Sequence, residues 1–182
     1  FACGESSGGL HGPDRMGGLC ILATQVFGKG AGQCAAEYAH KNPGAFFTCE
    51  EAEQSLTAEF CQSKDNPLSP QQVLTSIRRI MQENACLRRN EKGLESALLS
   101  MERLALQPLA HLNRPDAAFY FQVANALDAS RLILTAMRNR KESRGSHDRS
   151  DYPNHDPGLA AMRWVSMKDG NVTHGSLPIQ EA

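Results

Sequence analysis

Apolar residues recur at helical spacing through the middle of the chain, and that period predicts three amphipathic helices. The first opens at Ser69-Pro70-Gln71-Gln72, with Ser69 as N-cap and Pro70 at the first helical position, and carries Val73, Ile77, Ile80 and Met81 on one stripe. The second runs from Glu91 to about Leu106 with Leu94, Leu98, Met101 and Leu104 inward, and Pro108 stops or bends it. The third runs from Asp116 to about Arg140 and carries Phe119, Val123, Leu127, Leu132, Ile133 and Met137. Three such helices on short links pack as a bundle. The small and apolar residues from Leu19 to Tyr38 read differently, as a buried helix that begins near Gly18. Trp164 to Lys168 reads as a strand, Asp169-Gly170 as a hairpin turn and Val172 to His174 as the return.

Polar punctuation sets the boundaries. The expected divisions are 1–39, 40–69, 70–142 and 143–182: a strand end with glycine turn and buried helix, a connector, the bundle, and a turn-rich tail. Within the connector, the segment Phe46 to Gln54 is expected to begin a short acidic helix capped by Thr48. Asn125 falls on the third helix, where it either bonds across the bundle or faces solvent, and His111 reads as an ordinary loop residue.

The 182 residues are 41% hydrophobic, enough for a real core, and the net charge of -1 gives no electrostatic case for nucleic acid. Arg138, Arg140, Lys141 and Arg144 cluster, but Asp148 and Asp151 follow, so the cluster reads as a solvated or partner-facing stripe. Cysteines 3, 20, 34, 49, 61 and 86 form no C-x-x-C pair; reduced, buried thiols are expected, with no metal held by this chain. No apolar run reaches the roughly 20 residues needed to span a bilayer. Direct membrane insertion is therefore not expected.

Candidate chemistry concentrates near the start. Gly4, Gly8, Gly9, Gly12, Gly17 and Gly18 surround Glu5, His11 and Arg15 immediately ahead of the apolar helix. Glycines let backbone approach a ligand closely, and a helix start offers free amides and the positive end of the dipole to an anion. Arg15 adds a planar fork suited to a carboxylate.

The run from Phe1 to Glu5 followed by Gly8-Gly9-Leu10-His11-Gly12-Pro13-Asp14-Arg15-Met16-Gly17-Gly18 resembles the flavin-contacting motif of the succinate dehydrogenase and fumarate reductase flavoproteins, which L-aspartate oxidase shares. Ile80 to Glu95 resembles that family's helical-domain motif. Lys141-Glu142-Ser143-Arg144-Gly145-Ser146-His147 with Arg149 to Pro153 resembles a third. The resemblance implies FAD as cofactor, with Glu5 holding its ribityl or nucleotide portion and the amides of Cys20 and Ile21 reaching its pyrimidine edge. It implies that Arg15 grips a dicarboxylate substrate. It also implies that Arg144, His147, Arg149 and Asp151 lie in a segment packed near an iron–sulfur partner, where structural anchoring is favoured over acid–base chemistry.

The fold class expected is mainly α, a C-terminal piece of an α/β FAD-binding domain followed by the bundle and a tail with a hairpin. The chain contains no G-x-G-x-x-G after a strand and reads as a fragment or one chain of a split protein, inactive without an N-terminal flavin-binding region or companion chain. The implied function is part of an FAD-dependent oxidoreductase interconverting succinate and fumarate or a related dicarboxylate. Its expected location is cytoplasmic, or peripheral at the inner face of the membrane through partner subunits. Leu19 and Asp14 stand where the family usually has Asn; they favour the alternative of a non-catalytic helical assembly subunit.

Overall fold

A computed structural model describes residues 1–7, 11, 17–44, 50, 68–106 and 117–178. The chain divides into two compact units, Phe1–Cys61 and Gln62–Ala182. Apart from Glu50, the helix expected at Thr48 lies outside the described residues, as does the loop residue His111.

The first unit holds a 3-10 turn, Gly4–Ser7, and a long helix α1, Leu19–Lys41. Residues 1–3 pass into the turn without forming the expected strand end, because no described segment of this unit offers them a ladder. Gly4 has φ 65°, and a Cβ there would meet the Thr24 methyl at 3.0 Å, so glycine permits this close approach to α1. Phe1 packs edge-to-face on Tyr38 with ring centroids 5.7 Å apart. At the other end, the Asn42 amide and side chain both donate to the Tyr38 carbonyl, which ends the helix.

The helix expected to be buried is present, but Ala23 is its single buried residue. Ile21, Leu22 and Val26 are 68%, 61% and 59% exposed, and Leu19, Phe27 and Tyr38 are exposed as well. Apolar residues stand on several sides of α1, and the described chain supplies nothing to cover most of them. The thiols follow the same logic: Cys3 and Cys20 are half-buried and Cys34 and Cys86 exposed, so none of these four free cysteines is buried as expected.

The second unit is built on the three expected helices: α2 (Pro70–Asn84), α3 (Glu91–Ala105) and α4 (Ala117–Asn139). A capping box opens α2, with the Gln72 amide donating to Ser69 Oγ at 3.2 Å and the Ser69 amide to Gln72 Oε1 at 3.0 Å. Asn90 caps α3 by accepting from the Gly93 amide at 2.8 Å. Val73, Ile77, Ile80, Ala85, Leu94, Ala97, Met101, Val123, Leu127 and Leu134 form the core. On α4 the buried stripe is Val123, Leu127, Ser130, Leu134, which leaves Ile133 exposed and Asn125 facing solvent.

Two small sheets complete this unit. β1 (Arg88–Arg89) pairs in parallel with β2 (Asp148–Arg149), Arg88 opposite Asp148 and Arg89 opposite Arg149. β3 (Ala161–Lys168) and β4 (Asn171–Pro178) form the expected hairpin, somewhat longer than the sequence pattern suggests. Asp169 and Gly170 take φ 51° and 76°, the two positive values of a type I′ turn. The hairpin packs against α4, and Arg131 Nη2 donates to the Gly170 carbonyl at 3.0 Å.

Candidate functional site

Two regions bear on function, and each belongs to one unit. At the start of α1 the chain turns through Gly18 at φ 86°, with no side chain capping the helix and no acid in its first turn. Among the described residues, chain neighbours and the helix's own backbone aside, no heavy atom lies within 4 Å of where a Cβ would stand at Gly17 or Gly18. The Ile21 amide donates to the Gly18 carbonyl at 3.2 Å. By position, the amides of Leu19 and Cys20 have no acceptor within the helix. Within its own first turn the helix carries no acid to offset the partial positive charge at its start.

Beside it, His11, Leu19, Leu22, Ala23, Val26 and Phe27 line an apolar groove, and His11 Nε2 is buried there without a hydrogen-bond partner. Of the residues expected to serve a ligand, Cys20 and Ile21 occupy the first turn of α1, the former half-buried and the latter exposed. Glu5 lies in the 3-10 turn. Arg15 lies outside the described residues.

The second region is an ionic network where the starts of α3 and β2 meet the end of α4. Arg149 is fully buried. It makes two bonds to Asp151, at 2.8 and 2.7 Å, and one to Glu91 at 2.9 Å. Its remaining donors reach the carbonyls of Met137 and Arg138, and its guanidinium lies 5.0 Å from the Tyr152 ring centroid. Asp151 Oδ2 also accepts the Glu91 amide at 2.8 Å, at the first residue of α3. The Arg149 bonds hold the Asp151 carboxyl well below the usual carboxylate range, and Arg138 together with Arg149 lowers that of Glu91. Removing Asp151 or Glu91 would leave the buried Arg149 charge less well matched and so destabilise this junction.

Glu142, fully buried, accepts from Arg140, from Arg144 at 3.0 and 3.1 Å, and from the Asp156 amide at 3.0 Å. Burial alone would raise its pKa; the Arg144 bonds, the amide and the field of both arginines outweigh burial and hold it at about 2. His147 takes a bond from Arg89 at Nδ1, 2.8 Å, and its Nε2 lies 3.0 Å from the Arg140 carbonyl. Burial is the main cause and lowers its pKa; the bond to the Arg140 carbonyl acts in the other direction, and the fields of Arg89, Arg149 and Arg140 lower it further.

The third sequence motif is thus an anchor. Asp148 pairs with Arg88 and Asp151 with Arg149, so neither orients His147 for acid–base work. Of the solvated or partner-facing stripe the sequence suggested, Lys141 alone is exposed, while Arg138, Arg140 and Arg144 are half-buried in ion pairs within the chain. Sequence reasoning missed Glu142, Glu91 and Arg89. A carboxylate flanked at two residues on either side by arginines, as in Arg140-Lys141-Glu142-Ser143-Arg144, was the available signal. Among the described residues, no group of three or more His, Cys, Asp or Glu side chains could hold a metal ion.

Comparison with known proteins supplies the context. The sequence model of the family described as fumarate reductase flavoprotein C-term matches residues 75–177, from α2 to β4. An uncharacterized FAD-dependent oxidoreductase of Methanocaldococcus jannaschii is 32% identical over 155 residues, 84% of this chain and 29% of its own. A fumarate reductase (CoM/CoB) polypeptide of Methanothermobacter marburgensis is 33% identical over 162 residues, again 84% of this chain and 29% of its own. L-aspartate oxidases are among the further relatives. The Sdh1 complex of Mycobacterium smegmatis in the apo form contains a chain that superposes with a TM-score of 0.82 at 29% identity, covering 100% of this chain and 33% of that one. This chain spans about a third of the length of the relatives it matches.

Proposed function

The chain belongs to the fumarate reductase flavoprotein C-terminal family, and from that premise we propose that it is a portion of an FAD-dependent oxidoreductase interconverting succinate and fumarate or a related dicarboxylate. The observation that carries this reading is the start of α1: a helix entered through Gly18 with no side-chain cap, no described side chain crowding Gly17 or Gly18, and an exposed apolar flank. Those features fit a flavin edge, which asks for amide donors, close backbone approach and apolar surface around a flat ring. FAD, when bound, supplies the two-electron redox chemistry, and the chain acts by binding, orienting and electrostatics.

In this reading the Cys20 amide faces the pyrimidine edge, and that of Ile21 reaches it by sharing the proton it gives to the Gly18 carbonyl. At that edge the positive end of α1 favours negative charge on the reduced ring. Glu5 holds the ribityl or nucleotide portion. Arg15 clamps a substrate carboxylate in a bidentate fork and so aligns the carbon–carbon bond for transfer. The remaining flavin site and the proton-transfer group come from an N-terminal flavin-binding and capping region or a companion chain, and electrons pass through an iron–sulfur subunit. Support for partner subunits is the likeness to a chain of the Sdh1 complex. No described helix is long and apolar enough to cross a membrane. The reading places the protein in the cytoplasm and gives any membrane attachment to its partners.

The test is made in the flavoprotein that contains this segment. Arg15→Ala should leave flavin content unchanged and weaken the change in flavin absorbance on adding fumarate or succinate by about a hundredfold in affinity, the scale of a lost bidentate charge-assisted pair. Unchanged dicarboxylate affinity would remove Arg15 from the site. A second reading, a non-catalytic helical assembly subunit, is favoured by Leu19 and Asp14 at positions where the family usually carries Asn. Absence of flavin from the assembled protein would decide for it.

A further inference from the structure

A second groove lies in the helical unit, lined by Cys86, Leu87, Arg89, Met137, Arg140 and His147. Arg89 is its distinctive member. Its Nε donates to the Cys86 carbonyl at 3.1 Å, Nη1 to His147 Nδ1 at 2.8 Å and Nη2 to the Ser146 carbonyl at 3.4 Å. All three acceptors are neutral. A guanidinium carries five N–H donors, so two remain, and this cation bonds no carboxylate among the described residues. The nearby acids bond other arginines: Asp148 bonds Arg88 at 3.1 Å and reaches Arg89 only through its field, and Glu142 is shared by Arg140 and Arg144. Four arginines here face two carboxylates.

Since Arg89 can only donate, His147 Nδ1 accepts and its Nε2–H donates to the Arg140 carbonyl, which fixes the neutral tautomer. The imidazole thus props the guanidinium without neutralising it. Leu87, 82% exposed, and Met137 add apolar surface beside this charge.

We propose that this groove is a binding site for a small oxyanion, a carboxylate or phosphate borne on a short apolar body, with Arg89 as the gripping cation and Leu87 and Met137 as the apolar wall. The site goes beyond the flavin reading and lies in the other unit of the chain. An anion seated on Arg89 offsets the positive field that His147 feels from Arg89 on β1, Arg140 at the end of α4 and Arg149 on β2. Asp148, beside His147, is matched by Arg88 and does not supply that compensation. Occupancy therefore eases protonation of His147, a coupling that a purely structural cluster lacks.

The experiment is NMR titration of the full chain with butyrate and with butyl phosphate, against chloride at equal ionic strength. Expected are saturable shifts of the Arg89 Nε–H and His147 ring signals, and a higher midpoint for His147 protonation when the site is filled. Saturation by butyrate alone assigns a carboxylate ligand, by butyl phosphate alone a phosphate; either upholds the site. Arg89→Gln should abolish saturation, and Arg89→Lys should weaken it about tenfold because the fork is lost. Leu87→Glu, at an exposed position that leaves the core untouched, should also weaken binding by repulsion, and it decides the matter if Arg89→Gln fails to fold. Shifts that merely track chloride, or an affinity unchanged in Leu87→Glu, would overturn the proposal.

Discussion

Glu142 shows how a single side chain makes stability depend on pH. Its pKa falls from the ordinary 4.5 to about 2 in the folded chain, so its contribution is complete above about pH 4.5 and is lost as pH falls toward 2. Glu142→Gln should therefore flatten the acid limb of stability in that window while lowering stability at neutral pH, checked by urea unfolding at a series of pH values. An acid limb identical to that of the parent chain would show that Glu142 does not set it. Much of this network was legible only in part. Arg144, His147, Arg149 and Asp151 stand out in the sequence as one motif, but their partners lie far off in the chain: Glu91 is 58 residues from Arg149 and Arg89 is 58 from His147. Spacing reveals neighbours on one element; it carries no information about which loop returns to meet which helix.

Local chemistry specified the elements of the helical unit closely. Ser69 and Pro70 start α2 where the capping pattern puts them, and Asp169-Gly170 forms the turn expected of that dipeptide. Side-chain burial was less legible. On α4 the sequence offered Leu132 and Ile133, yet Leu134 is buried, because continuing from Val123 and Leu127 by 3.6 residues per turn leads through Ser130 to Leu134. Ser130 hides that stripe from a hydrophobic reading; its hydroxyl donates to the Ala126 carbonyl at 2.7 Å, which lets a polar residue sit inside. The hairpin carries a more exposed constraint. Gly175 on β4 lies opposite Trp164 on β3, and a Cβ at residue 175 would stand 2.6 Å from the indole. Gly175→Ala should push the ring off the strand, and because this is the chain's one tryptophan, its emission should shift to the red without loss of the helical circular dichroism signal. Unaltered emission would mean that the ring does not rest on that glycine.

At the scale of the whole molecule the two units differ in how far they satisfy themselves. The helical unit encloses a core from all three helices, whereas α1 leaves Leu19, Ile21, Leu22, Val26 and Phe27 exposed. An apolar face of this extent marks a surface meant to be covered. The likeness to proteins about three times as long is consistent with that cover being further polypeptide. Adding a flavin-binding polypeptide of the same family should slow hydrogen exchange along residues 19–41 and leave residues 91–105 at their former rates. Exchange along α1 that is indifferent to the added polypeptide would count against the proposed flavin partner.

Within the helical unit, Arg149 joins the first residue of α3, the last carbonyls of α4 and the tail in one knot of bonds. Helix termini ordinarily fray because their end groups lack partners. Here the closing turn of α4 is tied, so that end of the bundle can loosen only by breaking the bonds of one buried guanidinium together.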